Sequence, residues 1–316
     1  MSGKQPRVSV GVPVFNGDNF LAEALDSVLA QTFGDFEVVI SDNGSSDRTE
    51  EICRGYAERD RRVHYYRSDA NRGVYWNFRR ALELGHGDYF MWLAHDDKLA
   101  PLFLERCVAA LDADPGAVLS YPKAIDIDDK GNCLVYKEQN LNAGVARPNE
   151  RFRELIRMEH NCEAIFGLVR MEALHKIRVF GGFADADRVM LSELALHGHY
   201  SQVPEFLFLH REHALRTTNV YPQSRFQRTA ILLPQKRAKI VFPHFRQFGE
   251  YMLAIHRSPL GWKDRLRCYH EMLHWLRLYW RRMVRDVKEV LIYLMRRPLD
   301  GAGSGRTSAA AGGGSA

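Results

Sequence analysis

Tyr89-Phe90-Met91-Trp92-Leu93, running directly into Ala94-His95-Asp96-Asp97, is the stretch on which the fold turns. A short, almost wholly apolar run predicts a buried strand, and the acids behind it predict a polar strand end. Three similar runs lie upstream: Val8 to Val14, Phe36 to Ser41 and Val63 to Arg67. Between them the apolar period changes from strand-like to helical. Phe20, Leu21, Ala24, Leu25, Val28 and Leu29 follow a capping Asp18. Ile52, Cys53, Tyr56 and Ala57 follow the spacing of Asp47 and Glu50, which resembles a capping box. Val74 to Leu84 reads as a third helix, stopped by Gly85. Strand and helix thus alternate from Val8 to Leu93. The expected class is α/β: a doubly wound, mostly parallel sheet flanked by helices.

In such sheets ligands bind outside the carboxyl ends of the strands. The polar residues sit there: Pro13-Val14-Phe15-Asn16-Gly17, Asp42-Asn43-Gly44-Ser45-Ser46-Asp47, Asn71-Arg72-Gly73 and Ala94-His95-Asp96-Asp97. A nucleotide would use such a row. Asp42 is placed to accept from a base N–H, Arg72 to reach a phosphate. Asp96 and Asp97 offer the carboxylate oxygens that a hard divalent cation prefers. By residue type alone His95 is a loop histidine, Asp47 a helix cap, and Trp76 and Trp92 core residues.

Downstream, a helix is expected from Pro101 to Ala113. Strands are expected at Ala117 to Asp126 and Cys133 to Tyr136 around the turn Asp128-Asp129-Lys130-Gly131, and at Val203 to Leu209. Helices are expected at Asn149 to Met158 and Val189 to Leu196, with Glu193 facing solvent. From Tyr221 the chain reads as helix, broken near Pro234, Pro243 and Gly261. The expected division is a catalytic domain over 1–220, a basic amphipathic helical region over 221–298 and a disordered Gly-Ala-Ser tail over 299–316.

The 316 residues are 46% hydrophobic and 26% charged, enough for a real core. A net charge of +5, with the basic residues on apolar helices, argues against a nucleic-acid reader. The five cysteines are odd in number and none are spaced C-x-x-C, which points to a reducing compartment. The N-terminus lacks a signal-peptide pattern, and no apolar run reaches the ~18–20 residues of a membrane span.

The ordered set of strand-end motifs resembles family 2 glycosyltransferases with the GT-A fold, over residues 6 to 215. The matching stretches are Val12 to Asn16, Leu21 to Phe33, Ser41 to Asp47, Asn71 to Gly73 and Leu93 to Asp97. Gly181-Gly182-Phe183, Asp187 to Gly198 and Arg211-Glu212-His213 extend the match. The resemblance implies a donor site at Pro13, Val14, Phe15, Asn16, Asp42, Asn43, Arg72, His95 and Asp96. It implies Mn²⁺ or Mg²⁺ held at Asp96, with Asp97 second and His213 closing over the metal or diphosphate. It implies Asp187 as the general base of an inverting transfer from a nucleotide sugar, a UDP-sugar favoured. Three positions depart from the pattern: Ala94 for the first acid of Asp-x-Asp, Asn43 for an Asp, and Ala186 for a Glu before the base. Ala94 and Ala186 keep open a non-catalytic nucleotide-sugar-binding or membrane-scaffold protein. A sugar nucleotidyltransferase is disfavoured, because Pro13 to Asn16 stands where a Gly-rich loop would be needed. The implied acceptor is a cell-envelope glycan or a lipid-linked glycan. Between Trp262 and Arg297, Arg alternates with Leu, Trp and Tyr in a pattern suited to an anionic membrane surface. The expected location is cytoplasmic and peripheral on the inner membrane face, with homo-oligomerisation open.

Overall fold

The computed structural model describes residues 5–138, 141, 143–145, 147–157, 162–214, 216 and 242–296. The expected helix break at Pro234 and the tail over 299–316 lie outside them.

β1 (Val8–Val14), β2 (Phe36–Asp42), β3 (Val63–Arg67) and β4 (Tyr89–Trp92) form the parallel half of the sheet, in the order β3-β2-β1-β4. They are joined by α1 (Leu21–Leu29), α2 (Thr49–Arg59) and α3 (Val74–Glu83). The pleat divides β4 between two cores. Tyr89 and Met91 pack with α1, α2 and the later α4 (Phe103–Ala113), whereas Phe90 and Trp92 pack on the α3 side. Trp92 is fully buried, as expected of a core tryptophan.

The second half of the sheet is mixed. After β5 (Lys98–Leu99) and α4 come β6 (Ala117–Ile127), β7 (Cys133–Lys137), α5 (Pro148–Arg157), β8 (Leu168–Arg170), α6 (Met171–Leu174), α7 (Ala186–His197) and β9 (His199–Arg211). β8 runs antiparallel to both β4 and β6; β6 and β9 are parallel; β5 closes the edge antiparallel to β9. β5 and β8 have two and three residues, too short to leave a period-two signal in the sequence. α1 starts at Leu21 rather than at a capping Asp18, whose N–H instead donates to Asp47.

α8 (Pro243–Arg257) and α9 (Trp262–Arg296) pack into this fold rather than hanging from it. Tyr251, Ile255, Cys268, Met272 and Trp275 share one core with Phe152, Ile156 and Val189 of α5 and α7. Glu193 corrects the expectation of a solvent-facing residue: it is fully buried, and Arg257 of α8 grips it with two bonds of 2.9 and 2.8 Å. Arg157 of α5 similarly holds the buried Glu271 of α9 at 2.7 Å. Among the described residues no helix is long and apolar enough to cross a membrane.

A buried carboxylate deprived of its cation is costly. Arg257→Ala should therefore lower stability by about 3 kcal/mol in denaturant unfolding. Pairing it with Glu193→Gln should recover part of that loss.

Candidate functional site

The crevice opens where β1 and β4 part. Their pairing ends at Gly11 and Trp92, and the last contact is Leu93 N–H to Gly11 O at 2.9 Å. Pro13, two residues further on, pairs only with Ser41 of β2. Backbone groups alternate sides along a strand, so the N–H that Pro13 lacks would point towards β4, which has already ended. That is why a proline is tolerated in a central strand here. The helical crossovers also reverse direction between β1 and β4, which is the place where open α/β sheets bind ligands.

Three strand-end segments, those of β1, β2 and β3, are hydrogen-bonded together beside this opening. Asn16, in the left-handed region at φ 52, donates its N–H to Ser45 Oγ and accepts from Ser46 N–H, each at 2.9 Å. Phe15 is exposed beside it, while Val14 O accepts from Asn43 N–H and from the Asn77 amide. Asn43 is buried; its Oδ1 accepts Arg72 N–H at 2.9 Å and its amide donates to Asn71, so it sets the β3–α3 loop. The Arg72 side chain is exposed and lies 5.0 Å over the Trp76 ring. Gly44 has φ +77, and a Cβ there would meet the Ala70 backbone at 3.0 Å, so the turn requires glycine.

Asp42 does not present a vacant carboxylate. Oδ1 accepts Ser45 N–H and Oγ–H at 2.9 and 2.6 Å; Oδ2 accepts Tyr65 OH and Arg67 at 2.8 and 3.0 Å. Four bonds fill a carboxylate's lone-pair positions. Burial and this carboxylate push the Tyr65 hydroxyl pKa up. Asp47 does cap locally, accepting Thr49 N–H and Asp18 N–H at 3.1 Å each.

At the end of β4 the two acids face opposite ways. Asp96 is half-buried, with Oδ2 at 3.0 Å from His213 Nε2. Burial would raise its carboxyl, but the charges of His95 and His213 and the hydrogen bond from His213 hold it below the usual range. His213 is also stacked edge-on to Phe20 at 4.9 Å. His95 is wedged against Gly17, where a Cβ would come within 2.5 Å of its ring, and burial lowers its pKa. Asp97, expected as a second metal ligand, turns inward instead. It is buried, accepts Arg211 N–H at 2.9 Å, and burial together with Asp96 pushes its pKa well up.

Arg211 fixes this floor. Its side chain is fully buried, donating to Asp96 O at 2.9 Å, Asp129 O at 2.8 Å and Glu23 at 2.9 Å, and its guanidinium lies 4.4 Å over the Phe20 ring. Sequence reading saw this arginine only as part of a late motif. Its partners lie as far away as α1, and no local pattern announces them.

Asp187 stands apart, in the first turn of α7 behind the left-handed Asp185 (φ 63). Burial first, then the Asp185 charge, raise its pKa, and Cys162 lies close enough for its own pKa to be raised by both acids. A further group, Asp126, Glu163 and His210, is close enough to share a cation. Lys137 already stands there, 2.7 Å from Asp126 and 3.0 Å from Glu163. His210 Nδ1 lies 3.1 Å from Asp126, while Nε2 faces Arg216. Arginine only donates, so Nε2 accepts and Nδ1–H points to Asp126.

Residues 9–177 match the model of Glycosyl transferase family 2. An uncharacterised glycosyltransferase of Rickettsia felis is 31% identical over 179 residues, 55% of this chain and 29% of that protein, so the chain spans less than a third of that relative. Among solved structures, the 1–349 segment of S. aureus TarS in complex with UDP-GlcNAc superposes with a TM-score of 0.61 at 15% identity, over 85% of this chain and 72% of that one. Mannosyltransferase PcManGT from Pyrobaculum calidifontis, in complex with GDP-Man and Mn²⁺, gives 0.51 at 18% identity over 96% and 77%. At these identities the likeness concerns the fold, which is the mixed GT-A sheet with flanking helices.

Removing the Arg211 fork takes the donor from the Asp96, Asp128 and Asp129 carbonyls and leaves Glu23 with Lys98 as its cation. Arg211→Met should cost about 1–3 kcal/mol in chemical unfolding, and Arg211→Lys should recover little, since an ammonium cannot reach three separated acceptors.

Proposed function

The chain belongs to glycosyl transferase family 2, and on that premise we propose that it transfers a sugar from a nucleoside-diphosphate donor to a hydroxyl of a glycan or lipid-linked acceptor, with inversion. The observation that carries this reading is the crevice between β1 and β4, beside which the ends of β1, β2 and β3 are hydrogen-bonded to one another and the end of β4 carries the Asp96–His213 pair. The two solved neighbours hold UDP-GlcNAc and GDP-Man, both nucleoside-diphosphate sugars, which supports the donor class. A UDP-sugar is favoured by the resemblance around Pro13, Asn16 and Asp42.

In this reading the base and ribose lie along Pro13 to Asn16 and the Asn43–Arg72 loop. Asp42 serves as the anchor of the Ser45 turn rather than as a direct partner of the base, because its lone pairs are taken. Arg72 is the exposed cation nearest that loop and takes a phosphate.

A carboxylate oxygen and an imidazole nitrogen 3.0 Å apart fit a shared divalent cation. Asp96 and His213 would hold Mn²⁺ or Mg²⁺, which supplies positive charge against the departing diphosphate. With Asp97 turned inward and no acid at position 94, the protein contributes only two ligands. Mn²⁺ should therefore bind weakly to the protein alone and at least ~10-fold more tightly when UDP is present, as measured by calorimetry. Tight Mn²⁺ binding without nucleotide, or binding unchanged in Asp96→Asn, would count against this site.

Asp187 takes the proton of the acceptor hydroxyl as the new bond forms. A single base and a single displacement invert the anomeric centre. Burial holds its pKa above the ordinary aspartate range, which makes the carboxylate a stronger base once ionised. The base must be deprotonated to act, so turnover should fall as pH drops through that raised pKa, above the ~3.9 of a free aspartate. UDP release from a panel of UDP-sugars in Mn²⁺ should fall by roughly 10²–10⁴ in Asp187→Asn, with donor affinity retained. Equal release by both proteins would remove Asp187 from this role. Absence of turnover with every donor, alongside retained nucleotide binding, would favour a non-catalytic sugar-nucleotide-binding protein.

A further inference from the structure

Helix α9 has three distinct sides. Cys268, Met272, Trp275, Met283 and Val290 are buried, and the helix packs on α5 and α8. An adjacent arc is apolar yet exposed: Trp262, Leu266, Leu273, Trp280, Val284 and Val287 are between 38% and 72% accessible. At about 100° per residue these positions fall on one stripe. Each is followed at once by a basic residue, in order Lys263, Arg267, His274, Arg281, Arg285 and Lys288. The basic row is therefore the apolar row turned by one residue, and the two run side by side for about 40 Å. The Lys263 ammonium lies 5.4 Å over the Trp262 ring and the Arg281 guanidinium 5.5 Å over the Trp280 ring, so charge and indole reach the same level. Of the four acids of α9 (Asp264, Glu271, Asp286 and Glu289), two turn away from this row and one, Asp264, offsets its Arg267. Glu271 and Asp286 turn inward to Arg157 and His244, and Asp264 pairs within the helix with Arg267.

We propose that this double row seats the protein on the surface of an anionic lipid bilayer, with α9 lying in the interface plane. The apolar row enters the acyl boundary while the basic row meets anionic headgroups, and the two indoles sit at the level that tryptophan prefers. A second copy docked on the same stripe would bring two basic rows alongside each other, which like-charge repulsion opposes. Anionic headgroups satisfy both rows at once. The surface shares no residue with the β1–β4 crevice, so it stands or falls separately from the transfer reaction.

The test is sedimentation of the full chain with vesicles of phosphatidylcholine alone and of phosphatidylcholine with about 30% phosphatidylglycerol. The protein should pellet only with the anionic vesicles, show a blue-shifted tryptophan emission there, and be released in roughly 1 M salt. The triple variant Arg281→Gln, Arg285→Gln, Lys288→Gln should bind roughly a hundredfold more weakly. Leu273→Ser with Val284→Ser and Val287→Ser should also lose binding, with circular dichroism and melting temperature unchanged. Three results would overturn the proposal: folded wild-type protein that stays in the supernatant, pelleting unaffected by either variant, or a concentration-dependent dimer without vesicle binding that the serine variant dissolves. The last would assign the stripe to a second copy of the chain.

Discussion

The Arg211 guanidinium, fully buried and paired with Glu23, ties together parts of the chain that lie far apart in sequence. Its bonds end on the β4 loop at Asp96, on the β6–β7 turn at Asp129 and on α1 at Glu23, while its own N–H fixes Asp97. A buried cation without such partners would carry a large desolvation penalty, so these segments are bound to one arrangement. His213 follows two residues later and is delivered onto Asp96 by the same anchor. The crevice floor is thus a consequence of a charge that has to be satisfied.

The aspartates around the crevice show how one residue type takes different roles by environment. Asp42 spends all four lone-pair positions on the turn that shapes the opening. Asp47 caps α2 and catches the incoming β1–α1 loop. The surroundings of Asp96, with the hydrogen bond from His213 among them, hold its pKa below the usual range, whereas burial and Asp96 itself push that of Asp97 up. Two adjacent acids cannot both keep full charge in so little water. The split leaves one ionised carboxylate at the strand end.

The C-terminal helices are packed against α5 and α7. α8 and α9 share a core with α5 and α7, and Arg257 neutralises the buried Glu193 on the helix whose first turn holds Asp187. That core uses one face of α9 and leaves the adjacent arc outward. A helix that has to satisfy both an interior and a second surface carries two apolar stripes, which explains why its hydrophobic residues exceed what its packing needs.

The sequence by itself determined the alternating strands and helices from Val8 to Leu93, because periods of two and 3.6 are local properties of the chain. It determined that polar residues would gather at the carboxyl ends of those strands, with Asn16 and Asp96 among them, while His213 was pointed to only by the family resemblance. It missed the two-residue β5 and three-residue β8, which are held by their neighbours rather than by their own pattern. Only the tertiary structure decided which carboxylates remain available. Asp42 is consumed by Tyr65 and Arg67, brought beside it by strand register; Asp97 is drawn inward by a residue 114 positions away; Glu193 is buried because α8 returns over α7. Hydrogen-bond demand and desolvation depend on what surrounds a group in space, and the linear order of residues carries no record of that.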